Sequence, residues 1–105
     1  MQDARGNAPR ASCVSRGMKL ELYTSAFCGA CHAARAVVDE ATRLVPGVHA
    51  VDLDVASHSD RAERRDIVAT PTVVLTDDDG AELFRAAGAP SLPQLLTAIA
   101  GHLPA

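Results

Sequence analysis

The chain has 105 residues, 48% of them hydrophobic and 22% charged, with a formal net charge of −3. That is enough for one small soluble domain with a single core. No apolar run approaches the ~18 residues that span a bilayer, and the Asp77-Asp78-Asp79 run, with no basic patch interleaved with aromatics, argues against a nucleic-acid partner.

Residues 1–17 are rich in Arg, Ala, Gly, Ser and Pro and lack hydrophobic periodicity, so they read as a disordered tail ahead of one domain over 18–105. They also lack the apolar core of a secretory signal, which points to a cytoplasmic protein, and Cys13 among them reads as a bystander thiol. Lys19 to Ser25, with Leu20, Leu22 and Tyr23, forms a first strand that ends just before two closely spaced cysteines. From Gly29 to Val45 the apolar Ala34, Val37, Val38, Ala41, Leu44 and Val45 recur at helical spacing, with Arg35, Asp39 and Arg43 as i,i+4 pairs on the other face. Pro46-Gly47 stops this helix. His49 to Val55 alternates Val51, Leu53 and Val55 with Asp52 and Asp54, a second strand that the crossover helix makes parallel to the first.

Ser57 to Arg65 is polar and reads as a short surface helix with Ser or Asp as its N-cap. Thr72 to Leu75 is a continuous apolar, β-branched run, the pattern of a central strand buried on both faces. Asp79-Gly80 signals a hairpin, and Ala81 to Ala86 returns as an antiparallel edge strand. Gly88 frees the backbone for a change of direction. Ser91 and Gln94 then form a capping box for a last helix with Leu92, Leu95, Leu96, Ile99 and Leu103 as its apolar stripe. The order is βαβ, a short helix, then ββα, which predicts an α/β domain with a four-stranded mixed sheet flanked by helices.

The chemistry centres on Cys28-Gly29-Ala30-Cys31 at the strand-to-helix junction. A helix opening at Cys28 places its sulfur over unpaired backbone amides, and such a position lowers a thiol pKa from about 8.5 to roughly 3.5–7.5. Cys28 is then the attacking thiolate and Cys31, one turn on and less exposed, the thiol that resolves a mixed disulfide. Three cysteines do not suit a disulfide framework, whereas a lone CxxC beside a βαβ pattern suits redox work. Cys28 to His32 also fits the CxxCH rule for haem attachment, but without an export signal and with the wrong secondary-structure pattern. A zinc site needs a second ligand pair, and His49, His58 and His102 are scattered over other elements, so no metal and no bound cofactor are expected. Pro71, in Ala69-Thr70-Pro71-Thr72, stands just before a central strand, where proline is out of place. Either the Thr70-Pro71 bond is cis and leaves the backbone of Thr70 open to a visiting peptide, or a trans proline merely starts the strand.

Taken together, CxxC at the end of the first strand, Thr-Pro before the third, Asp-Gly in the hairpin and Gly88 ahead of a capped helix resemble the thioredoxin superfamily over about residues 19–103. The resemblance implies a thioredoxin-like fold and a thiol–disulfide oxidoreductase that reduces protein or small-molecule disulfides, with Cys28 attacking and Cys31 resolving. It further implies that Pro71 matches the cis-proline facing the cysteines and that the backbone of Thr70 pairs with a substrate strand, in a shallow surface completed by Phe27, Gly29, Ala30 and Gly88. The implied partners are disulfide-bearing protein or small-thiol substrates and an electron-donating reductase or glutathione, with the chain itself a monomer. A thioredoxin-like domain serving only as a binding module is the alternative from another class. The chain differs from the familiar thioredoxin motif in having Phe27 before the first Cys and Ala30 between the two. It lacks the extra N-terminal strand and helix, which brings it closer in size to glutaredoxins, but nothing after Leu75 matches their glutathione-holding Gly-Gly-Asp. Leu22 stands where thioredoxins carry a buried aspartate beneath the cysteines, and strand alternation turns Glu21 to the other face.

Overall fold

A computed structural model describes residues 17–103. The expected tail, with Cys13, lies outside the described residues apart from Gly17. The elements run β1 (Met18–Thr24), α1 (Gly29–Leu44), β2 (Val48–Asp54), α2 (Ser59–Arg64), β3 (Thr72–Thr76), β4 (Glu82–Ala87) and α3 (Leu92–Ala100). They form a four-stranded mixed sheet in the order β2-β1-β3-β4. β1 pairs parallel to β2, β3 runs antiparallel to β1, and β4 antiparallel to β3. Among the described residues no helix is long and apolar enough to cross a membrane.

Alternation along β1 divides the core. Leu20 and Leu22 point to the face where Ala34, Val38 and Ala41 of α1 and Leu95 and Ile99 of α3 pack, joined from β3 by Val73 and Leu75. Tyr23 points the other way, into a smaller cluster with Leu53, Val74 and Ala62 of α2. β3 feeds both clusters, and all five of its residues are buried, as its β-branched run requires. The β3–β4 turn is closed by Asp77, whose Oδ1 accepts from the amides of Asp79 and Ala81, each at 2.9 Å. Gly80 there adopts φ +85°, a conformation that any side chain would strain.

Several local expectations differ from the structure. Arg35 does not pair with Asp39 but reaches across to Asp52 of β2 at 2.7 Å, because a carboxylate fixed in the sheet is a better partner than a mobile one on the same helix, and Arg43 pairs with Glu40 at i,i+3 spacing instead of with Asp39. Leu44, the last residue of α1, is half exposed. Leu103 lies past the end of α3 and is likewise exposed. The N-cap of α2 is His58, without a side-chain capping bond; Asp54 Oδ1 instead takes the amides of Ala56 and Ser57 at 2.8 and 3.2 Å. Of the capping box, the Ser91 half is present, its Oγ accepting from the Gln94 amide at 3.2 Å.

Candidate functional site

β1 ends at Thr24, and a four-residue loop delivers Cys28 to the N-cap of α1. Cys28 and Cys31 are joined by a disulfide, with their Cα atoms 5.3 Å apart. Cys28 Sγ accepts the Cys31 amide at 3.2 Å, so one of the orphan donors of the first helical turn already points at this sulfur. In the reduced protein the same amide and the positive end of the helix dipole would favour the thiolate. Cys28 is half-buried and Cys31 is buried at 3% exposure, so Cys28 is the more open of the two residues. Phe27, at φ +58°, throws its ring fully into solvent beside Cys28, and Gly29 and Ala30 are exposed on the opening turn of α1.

A second loop arrives at the same end of the sheet, where β3 begins and β4 ends. The Thr70–Pro71 peptide bond is cis. Thr72 Oγ1 donates to the Ala69 carbonyl at 2.7 Å, and the Gly88 amide, at φ +85°, donates to the Pro71 carbonyl at 2.8 Å. The Thr70 hydroxyl meets the Ser25 hydroxyl at 2.6 Å, which ties this loop to the one carrying Cys28. The backbone amide and carbonyl of Thr70 make no hydrogen bond to another described residue. Thr70 thus adjoins the cysteine loop, with Pro71 next in sequence and Gly88 bonded to Pro71. Val68, almost fully exposed three residues before Pro71, is a further apolar side chain of this loop.

Three arrangements here escape sequence reasoning. Ser25 as the partner of Thr70 is one. Asp52 is another: it accepts from Thr24 Oγ1 at 3.0 Å as well as from Arg35. The third is Glu21, buried at 1% exposure on the α2 face. Its carboxylate takes Tyr23 OH at 2.8 Å, Arg61 Nη2 at 2.6 Å and Arg65 Nε at 3.2 Å. Burial pushes this carboxyl up, but the Arg61 and Tyr23 hydrogen bonds and the two arginine charges outweigh it and hold Glu21 below its ordinary value. Burial, with the carboxylate as hydrogen-bond partner and neighbouring charge, raises Tyr23 and keeps it a donor. The network borders a cavity of about 230 Å³ lined by Lys19, His49, Asp77 and Asp78, at the end of the sheet away from the cysteines. Beside it Arg65 donates to the Gly80 carbonyl of the hairpin at 2.7 Å, and Arg85 of β4 donates to the carbonyls of Arg65 and Asp66, where the connection to Pro71 begins. His32 is exposed, and among the described residues no group of three or more His, Cys, Asp or Glu side chains is placed to hold a metal ion.

The thioredoxin family model matches residues 14–101. A thioredoxin of Methanocaldococcus jannaschii is 33% identical over 87 residues, covering 82% of this chain and 96% of that protein, so the compact size is shared with a protein of that name. Among solved structures, a mutant thioredoxin from Halobacterium salinarum NRC-1 superposes with a TM-score of 0.76 at 20% identity, over 84% of this chain and 76% of the other. Fasciola hepatica thioredoxin does so with a TM-score of 0.72 at 26% identity, over 82% and 81%. Cys28 and Cys31, already joined as a disulfide at the opening of α1, are thus carried on a chain that belongs to the thioredoxin family of thiol–disulfide oxidoreductases.

Proposed function

We propose that this chain is a reductase of protein disulfides that works through the Cys28/Cys31 dithiol. The observation that carries the reading is the half-buried Cys28 sulfur at a helix N-cap, bonded to Cys31 and held by the Cys31 amide. In the reduced form the Cys28 thiolate attacks one sulfur of a substrate disulfide and expels the other as a thiolate. The Cys31 thiolate then attacks Cys28 Sγ, forms the Cys28–Cys31 disulfide and releases the second substrate thiolate. Two electrons pass from the dithiol to the substrate, both substrate sulfurs leave as thiols after taking up protons, and no bound cofactor takes part. An electron-donating reductase, or glutathione, restores the dithiol, as a reducing compartment such as the cytoplasm requires. Thr70, with its backbone amide and carbonyl open, is the edge onto which an extended substrate segment would lay its own backbone. Pro71 and Gly88 form the floor, and Phe27, Gly29 and Ala30 the opposite rim.

The roles of the two sulfurs are separable in a trapping experiment, run in a Cys13→Ser background so that the third thiol takes no part. Cys31→Ser should accumulate a covalent adduct with a disulfide-bearing protein, visible on a non-reducing gel and released by dithiothreitol. Cys28→Ser should give at most a trace. Equal trapping by the two variants would overturn the assignment, and a wild-type chain that reduces no disulfide would overturn the function.

A further inference from the structure

We propose that Ser25 is a positioning residue for protein substrates: its contact with Thr70 sets the distance between the cysteine loop and the backbone edge that receives the substrate. This rests on the reductase reading. Ser25 is the first residue after β1 and stands three positions before Cys28, while Thr70 immediately precedes Pro71. Their hydroxyls are 2.6 Å apart, across 45 residues of chain, in a partly buried position. Each loop is otherwise fastened mainly to its own surroundings: Cys28 to the first turn of α1, Ala69 to Thr72, and Pro71 to Gly88. The Ser25–Thr70 bond is the side-chain link between the two loops. It occupies the Thr70 hydroxyl, while the backbone amide and carbonyl of that residue make no hydrogen bond to another described residue.

An in-line attack by Cys28 needs the substrate sulfur held within a fraction of an ångström of its productive position, and a protein substrate is held by its backbone on Thr70. A small disulfide with no peptide backbone has no such hold. Loss of the link should therefore slow the reaction with protein disulfides more than the reaction with a small disulfide, and the ratio of the two rates reads the effect. An unfolded fraction lowers both rates alike, so the ratio stays valid if a variant is less stable.

The test uses the prereduced full chain in single turnover with insulin and, separately, with bis(2-hydroxyethyl) disulfide. Ser25→Ala should lower the insulin-to-small-disulfide ratio about fivefold, the factor that one neutral hydrogen bond of ordinary strength is worth. Ser25→Thr, which keeps the hydroxyl, should restore it. Thr70→Val should lower the ratio by a similar factor, and the double variant Ser25→Ala with Thr70→Val should be no worse than the poorer single one, because both remove the same bond. A ratio unchanged in Ser25→Ala, or multiplied losses in the double variant, would overturn the role of Ser25 while leaving the reductase reading intact. A wild type that reduces neither substrate overturns the reading itself and this role with it.

Discussion

Replacing Arg61 and Arg65 together by methionine is expected to cost about 3–5 kcal/mol at pH 7, more than replacing Glu21 by glutamine. The asymmetry comes from burial. The Glu21 side chain is 2% exposed, whereas those of Arg61 and Arg65 are 38% and 22% exposed. If Glu21 is removed, both guanidinium groups can turn toward water, and the loss is about 1.5–3 kcal/mol, the range for hydrogen bonds to a charged group. If both arginines are removed, a carboxylate is left in the interior with only the Tyr23 hydroxyl to hold it. Methionine keeps the apolar stems in place, so lost packing contributes little.

The pH dependence separates this account from a merely damaged α2. In the wild type the Glu21 carboxyl is held below its ordinary value of 4.5, so its stabilising contribution is fully present above about pH 4.5 and is lost as pH falls through the lower folded value. In the double variant burial is opposed only by the Tyr23 hydrogen bond and raises the carboxyl, so acid relieves the unpaired charge. Urea unfolding at pH 7 and again near pH 4 should therefore show the gap between wild type and variant narrowing in acid. A gap that stays constant would mean that Glu21 is not the charge that the arginines serve.

That network marks the boundary of what the sequence made legible. The element order, the parallel β1–β2 pair, the buried β3 and the Asp-Gly hairpin follow from periodicity and turn chemistry, which are local signals. The placement of Cys28 at a helix N-cap follows from the same signals. Alternation along β1 correctly puts Glu21 opposite Leu20 and Leu22 but does not say what covers that face. The cover is α2, a polar stretch that reads as a surface helix; it buries Ala62 and sends Arg61 inward to the carboxylate, with Arg65 following from the helix C-cap. In the same way Arg35 has an apparent partner four residues on, yet finds Asp52 seventeen residues away. The Ser25–Thr70 link spans 45 residues between two ordinary polar side chains and leaves no trace in spacing or composition. What sequence reasoning misses is thus the long-range polar pairing, and that pairing joins the loops around the cysteines to each other and to the sheet.

Release of a substrate held on Cys28 is expected to quicken by about five- to tenfold per pH unit between pH 6.5 and 8.5 and to limit turnover at neutral pH, while formation of the mixed disulfide changes little over the same range. The reason lies under the cysteines. Cys31 must lose a proton before it attacks Cys28 Sγ, and a thiol with no base beside it depends on its own ionisation, ordinarily near pH 8.5 and later when buried. Cys31 is 3% exposed, and the strand below offers Leu22, packed in the same apolar cluster as Ala34 and Val38. The nearby charged groups have other work. Glu21 is turned to the opposite face and held by Arg61 and Arg65, Asp52 is held by Arg35 and Thr24, and His32 faces solvent. Cys28, by contrast, sits on the helix N-terminus, where the thiolate is favoured without a base. Stopped-flow measurement of the two steps from pH 6 to 9 separates them. A second step that is flat with pH would show that a base serves Cys31 after all. Repeating the profile with Asp52→Asn would then say whether that base is Asp52, reached through the Thr24 hydroxyl, since its removal would restore the slope.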